Sequence, residues 1–166
     1  MKLLKLLILI VLIAINIAGC KNAEVNEPVA AVVGKVVKVV DGDTLHVYSN
    51  KKTYKIRLSG IDAPERGQAY GKRAKEHLEF LVAGKQVIAI VESKERYGRH
   101  VASVKVQNKD VCAEMLTAGY AWHYKQYDNN KYYDELQREA KKAKRGLWVD
   151  KKPQAPWEYR KEQRAG

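Results

Sequence analysis

Short β-prone segments, one amphipathic helix among them and two more behind predict an α+β fold. Its centre is a small closed barrel of five strands, of the OB type, carrying three α-helices. Three observations predict it. Residues 32–59 hold three strand-like runs divided by compact turn signals. The hydrophobic period then changes from that of a strand to that of a helix near Gln68, and two further strand-like runs follow. The final third returns twice to helical spacing. A chain of 166 residues holds one such domain with a proper core, and it contains no internal repeat or low-complexity tract.

Val32 to Val40 is rich in β-branched residues and stops at Asp41-Gly42, a turn pair. Thr44 to Tyr48 continues as strand, Ser49 to Lys52 turns, and Thr53 to Ser59 alternates polar with apolar. In that third strand Ile56 and Leu58 face one side while Lys55, Arg57 and Ser59 face the other. Gln68 to Val82 places Ala74, Leu78 and Leu81 on one helical stripe among charged residues, with Gly84 as its stop. Gln86 to Val91 and Val101 to Val106 read as the last two strands. A second helix, Val111 to Ala118, turns Cys112, Met115 and Leu116 inward, and a third, Tyr132 to Lys144, buries Leu136, Ala140 and Ala143. Asp134 and Glu135 near the start of the third helix and Lys141, Lys142, Lys144 and Arg145 at its end match the helix dipole, and Gly146 ends it. Residues 32–149 thus form the domain. Residues 150–166, with Pro153 and Pro156, are expected to lie along the surface as an extended tail.

Residues 1–19 are expected to be a leader rather than part of the fold. Lys2 and Lys5 form a basic start, Leu6 to Ile15 is unbroken apolar sequence, and small residues precede Cys20. The pattern resembles a bacterial lipoprotein signal, in which Cys20 is lipidated and becomes the first mature residue. The apolar run is shorter than the ~20 residues of a membrane span. Residues 20–31 then serve as a flexible linker, and the domain stands outside the cytoplasmic membrane as a lipid-anchored or processed, secreted monomer. Only two cysteines occur, so with Cys20 lipidated no disulfide framework exists, and Cys112 reads as a small core residue. Lys and Arg number 31 against 19 Asp and Glu, a net charge of +12. Such an excess favours a polyanionic partner, nucleic acid or an anionic membrane surface.

Three charged constellations remain. The first is Arg57-Leu58-Ser59-Gly60-Ile61-Asp62-Ala63-Pro64-Glu65, where a strand ends in a proline-stiffened loop bearing two carboxylates. An arginine fork suits a phosphate, and a loop carboxylate suits a hard cation or a water to be deprotonated. A surface salt bridge beside a turn explains those nine residues equally well. The second is Asp41-Gly42-Asp43-Thr44, which is either a simple turn or a turn offering Asp43 to a cation. An EF-hand is excluded, because it needs a third acidic or amide position, a glycine and a terminal glutamate at fixed offsets and Leu45, His46 and Lys51 do not fit them, and an aspartyl phosphatase would want Thr or Val where Leu45 stands. The third is Arg96-Tyr97-Gly98-Arg99, a basic turn that can supply a phosphate contact from Arg99 and a stacking ring from Tyr97.

In chain order, Asp41-Gly42-Asp43-Thr44, then Arg57 to Glu65, then Tyr97-Gly98-Arg99 closely resemble the staphylococcal nuclease (thermonuclease) family, over roughly Val36 to Trp148. The later Gly146-Leu147-Trp148 and Pro156-Trp157-Glu158-Tyr159-Arg160 resemble many bacterial members. The resemblance implies a calcium-dependent phosphodiesterase, an endonuclease cutting DNA and RNA and leaving 3′-phosphate ends. It implies that Asp43, Asp62 and the carbonyl of Ala63 bind Ca2+. Glu65 is then the general base or water-orienting group, and Arg57 and Arg99 hold the scissile phosphate. Tyr97 and one of Tyr124 and Tyr127, here taken as Tyr124, are expected at the nucleotide site. The alternative is a binding module on the same barrel that holds nucleic acid or protein without catalysis; the joint presence of Asp43, Arg57, Asp62, Glu65 and Arg99 argues against it. His46, His77, His100 and His123 show no metal-ligand spacing and read as surface or packing residues. The aromatic cluster from Tyr120 to Tyr133 is mostly packing.

Overall fold

The computed structural model describes residues 31–96 and 98–165. The leader, Cys20, most of the linker and Tyr97 lie outside the described residues. Strands β1 (Ala31–Val39), β2 (Thr44–Ser49) and β3 (Lys52–Leu58) form an antiparallel meander. A two-residue strand β4 (Ile61–Asp62) follows, then helix α1 (Gly71–Val82), β5 (Gln86–Lys94) and β6 (His100–Val106). The sheet order is β3-β2-β1-β5-β6, and β3 also pairs parallel with β6, which closes five strands into a barrel. Closure leaves no free edge along these strands to recruit another chain.

Strand β1 alternates exposed and buried residues up to Val36. A bulge between Val36 and Lys38 then adds a residue, so Val37 and Lys38 are both exposed before Val39 turns inward. A second bulge between Val91 and Ser93 bends β5 and carries it to Lys94, three residues past the sequence-based boundary. Leu45, Val47, Ile56, Leu58, Val87, Ala89, Ala102 and Val104 fill the barrel, as their alternation requires. A short β7 (Lys109–Asp110) adds to β6 and leads into α2 (Val111–Thr117). The Asp110 carboxylate caps α2 by accepting from the N–H groups of Cys112 and Ala113, and its other oxygen accepts from the Tyr133 hydroxyl at 2.7 Å.

Strand β8 (Trp122–His123) pairs with β4, and α3 (Lys131–Lys142) packs behind α2. Leu136 and Ala140 of α3 are buried as expected, but Ala143 is exposed, because α3 ends at Lys142. Tyr133 and Gln137 complete the buried face instead. Helix α1 starts at Gly71 rather than Gln68: the Gln68 side chain accepts the Glu65 N–H, and Tyr70 adopts a left-handed φ of 66°.

The tail departs most from expectation. A 3-10 turn (Gly146–Val149) leads not to extended chain but to a fourth helix, α4 (Pro156–Ala165). Pro156 opens this helix at its first position, where its missing N–H costs nothing. Glu158, two residues later, reaches back to the Ala155 N–H, as in a capping box. Trp157 fixes the helix to the domain, stacked flat on Tyr124 and edge-on to Trp122. The Gln68 amide donates to the Gln154 carbonyl at 2.8 Å and ties the approach to α4 onto the loop that holds Glu65.

Candidate active site

Strand pairing assembles the site. Arg57 stands opposite Thr44 across the β2–β3 ladder, and the Leu58 N–H donates to the Asp43 carbonyl at 2.8 Å, so Asp43 and Arg57 are neighbours. Arg57 lies on the strand face opposite Ile56 and Leu58, and its guanidinium projects out of the barrel core. Nη1 donates to Asp43 Oδ2 and Nη2 to Asp62 Oδ1, both at 3.0 Å. Asp62 reaches this point because Gly60, at φ 69°, turns the chain out of β3 into β4, where β8 and the Tyr124 N–H on the Gly60 carbonyl hold it. Asp43 also accepts from the Thr44 hydroxyl at 3.0 Å and the Ala63 N–H at 3.2 Å. The parallel β3–β6 pairing sets Arg57 beside Val101 and brings in the preceding turn, with Arg99. Arg99 makes a two-pronged ion pair with Glu95, at 2.7 and 3.0 Å.

Glu65 lies in the loop before α1. Its position depends on Gly71, where an added Cβ would come within 2.0 Å of the Glu65 carbonyl oxygen. Its carboxylate meets a group that the sequence reading missed. Arg160 of α4 donates Nη1 to Glu65 Oε1 at 2.7 Å and to Asp62 Oδ1 at 3.1 Å, and Nη2 to Asp62 Oδ2 at 2.8 Å. One guanidinium thus joins two carboxylates nearly a hundred residues away in sequence. The signal was present in the Pro-x-Glu start of α4, but its prolines read as breakers of structure rather than as a helix opening.

These side chains line one cleft of about 630 Å³, which brings together Asp43, Arg57, Asp62, Ala63, Glu65, Arg99 and Tyr124, all singled out in the sequence. Tyr127 lines it as well, so both tyrosines left open by the sequence face the cleft; Tyr120 packs instead against His77. His123 is buried with Nε2 at 2.7 Å from Asp128 and serves packing.

The electrostatics run against the charge of the whole chain. Six carboxylates line the cleft, those of Asp41, Asp43, Asp62, Glu65, Glu92 and Glu95, against four guanidinium groups. Burial and the Asp43 charge push Asp41 up to about 6. Burial also raises Asp62, helped by Asp43, despite the opposing pull of Arg160 and Arg57. Burial alone would lower Arg57, but the Asp43 and Asp62 charges outweigh it and hold the guanidinium more firmly protonated. An excess of two negative charges is what one divalent cation cancels, and oxygen donors are what a hard cation takes. Asp41, Asp43 and Asp62 bring carboxylate oxygens to this cleft, and Ala63 lines it beside them. Among the described residues no three His, Cys, Asp or Glu side chains converge as a ready-made metal cluster, because Asp43 and Asp62 are turned onto arginines.

A barrel whose rim gathers one strand arginine, one turn arginine and paired carboxylates has the donor groups that recognise a phosphate. Residues 55–150 match the family model described as staphylococcal nuclease homologue. An uncharacterized endonuclease of Escherichia coli is 43% identical over 128 residues, covering 76% of this chain and 84% of the relative. One of Haemophilus influenzae is 40% identical, covering 78% of this chain and 74% of its own length. A probable staphylococcal-like nuclease of Oryza sativa subsp. japonica is 43% identical over 69% of this chain, which spans 35% of that longer protein. The chain belongs to the staphylococcal nuclease family, and its class is accordingly nuclease. Arg160 lies beyond the residues matched by the family model.

Proposed function

We propose that this protein is a calcium-dependent nuclease that hydrolyses the phosphodiester backbone of DNA and RNA and leaves 3′-phosphate ends. The observation that supports it most is the meeting of Glu65, Arg57 and Arg99 in one cleft with the Asp43–Asp62 pair. Arg57 and Arg99 bind the non-bridging oxygens of the scissile phosphate and offset the charge that grows there in the transition state. Arg57 is pre-positioned for this by Asp43 and Asp62, which fix both of its terminal nitrogens. Glu65 orients the attacking water and takes its proton. Arg160 occupies Oε1, which leaves Oε2 for that task. The bond between phosphorus and the 5′-oxygen breaks, the leaving 5′-oxygen takes a proton from water to become a hydroxyl, and the phosphate stays on the 3′ side. Asp43, Asp62 and the Ala63 carbonyl would hold calcium, which supplies positive charge next to the phosphate. Tyr124 and Tyr97 would border the nucleotide. The same proposal makes the protein a monomer released or anchored outside the cytoplasmic membrane, with Cys20 as its lipidated residue.

Glu65→Gln tests the assignment. Turnover should fall by orders of magnitude while oligonucleotide binding changes little. Full activity in that variant would remove Glu65 from the mechanism, and a loss confined to binding would make it a docking residue.

A further inference from the structure

A second cavity of about 430 Å³ borders the first on the side of α4. Tyr124, Tyr127, Arg160 and Arg164 line both, so the two are continuous, and Lys161 and Trp157 complete the second. Its chemistry is the reverse of the cleft's. Among the described residues no carboxylate lines it, whereas the cleft carries six. Lys161 and Arg164 are exposed, and among the described residues neither has an ion-pair partner, unlike Arg160. Three of its residues form an aromatic shelf. Trp157 stacks on Tyr124 with ring centroids 5.3 Å apart and planes 2° from parallel, and Tyr127 stands edge-on to Tyr124 at 4.8 Å. Tyr127 is nonetheless 73% exposed, leaving most of its ring to solvent beside those free cations.

Cations with no partner among the described residues, an uncovered ring and a described lining free of carboxylates form a site for an anionic strand bearing flat groups. We propose that α4 carries a subsite for single-stranded nucleic acid flanking the scissile phosphate. Lys161 and Arg164 take backbone phosphates, and the Tyr127 ring stacks on an unpaired base. The inference rests on the nucleic-acid reading of the cleft and extends it along the strand. Lys161 and Arg164 stand three residues apart on α4, about 4.5 Å along the axis, and so lie on neighbouring positions of one helix face. A strand lying along α4 therefore runs from the carboxylate cleft onto unopposed positive charge. A base must leave its stack to reach Tyr127, so the subsite favours a single strand over a duplex. It takes any sequence, because phosphates and ring faces are common to all nucleotides.

Fluorescence anisotropy of the full chain with a labelled thymidine octamer, in chelator so that no cleavage occurs, tests this. Lys161→Ala combined with Arg164→Ala should weaken octamer binding about tenfold and reduce the slope of log K against log salt by about 1.4, the value for two lost phosphate contacts on a single strand. Tyr127→Ala should weaken it about tenfold without changing the slope, and by much less for a duplex of equal length. Both changes are at exposed positions, so melting temperatures should stay within about 2 °C of the parent. Parent binding with equal affinity and slope in the variants overturns the subsite and leaves the cleft assignment standing. Failure of the parent to bind any oligonucleotide overturns the nucleic-acid reading and the subsite with it. Loss of binding to anionic vesicles, with octamer binding intact, would reassign the cations to a membrane surface.

Discussion

Removal of the Arg160 guanidinium should destabilise the protein in chelator and much less in calcium. Arg160 makes three hydrogen bonds, at 2.7, 2.8 and 3.1 Å, to two carboxylates. The Asp62 side chain is only 1% exposed, so Arg160→Ala strands a buried charge with Arg57 on one oxygen and nothing on the other. Stripping one partner from a fully buried pair costs about 3–5 kcal/mol. Arg160 is itself 29% exposed and Arg57 remains, which brings the expected loss to about 2 kcal/mol. For a domain of this size that is a fall in melting temperature of roughly 8 °C. A cation bound by Asp62 restores the missing positive charge, and at a hundredfold excess over its Kd it stabilises by about 2.7 kcal/mol. The assay is thermal unfolding of parent, Arg160→Ala and Arg160→Lys in chelator and in calcium. Calcium should raise the melting temperature of Arg160→Ala more than that of the parent, with the lysine variant between them. An identical loss in both solutions, or none in chelator, would refute the reasoning.

Other residues give equally definite expectations. Gly71→Ala should lower kcat more than it raises KM, because its Cβ must push the Glu65 carbonyl from 2.0 Å; steady-state kinetics at parent-like KM and kcat would contradict this. Burial against Phe80 and Tyr120 holds His77 below its ordinary value, with Glu114 opposing. The unfolded chain then binds the extra proton first, so stability is complete above about pH 6.5 and falls as pH drops toward the folded value. His77→Leu should flatten that part of the stability-versus-pH curve measured by urea unfolding, and an unchanged slope would count against it. Burial raises the Cys112 thiol, so in the native protein Cys112 should not be labelled by a thiol reagent at pH 8, whereas in the urea-unfolded chain it should be labelled at once, as read by peptide mapping.

The barrel was legible because its strands are short, alternate cleanly and are separated by strong turn pairs; Ile56 and Leu58 point inward and Arg57 outward, as the period of two demands. The residues of the cleft could be singled out for a related reason, although only the family resemblance gave them roles. Asp43, Arg57, Asp62 and Glu65 lie within a short stretch, and neighbouring strands or a tight loop bring them together locally. Two features were hidden. The bulge in β5 extends a strand through Glu92 and Ser93, which polarity alone marks as loop. Helix α4 holds few apolar residues, so its stability comes from Trp157 on Tyr124 and from Arg160 on Asp62 and Glu65, contacts that no local pattern encodes. Ala143 failed in the opposite way: helical spacing continued past the point where α3 stops at Lys142.

The central claim is that the carboxylate–arginine cleft hydrolyses phosphodiesters with the help of a divalent cation. Its most direct test is cleavage of an end-labelled single-stranded DNA across a calcium titration, with strand binding followed in parallel and the product ends mapped. The account predicts no cleavage in chelator, a rate that rises to saturation with calcium, and fragments ending in 3′-phosphate. Tight binding with no cleavage in any divalent metal would contradict it and make the protein a binding module on the same barrel.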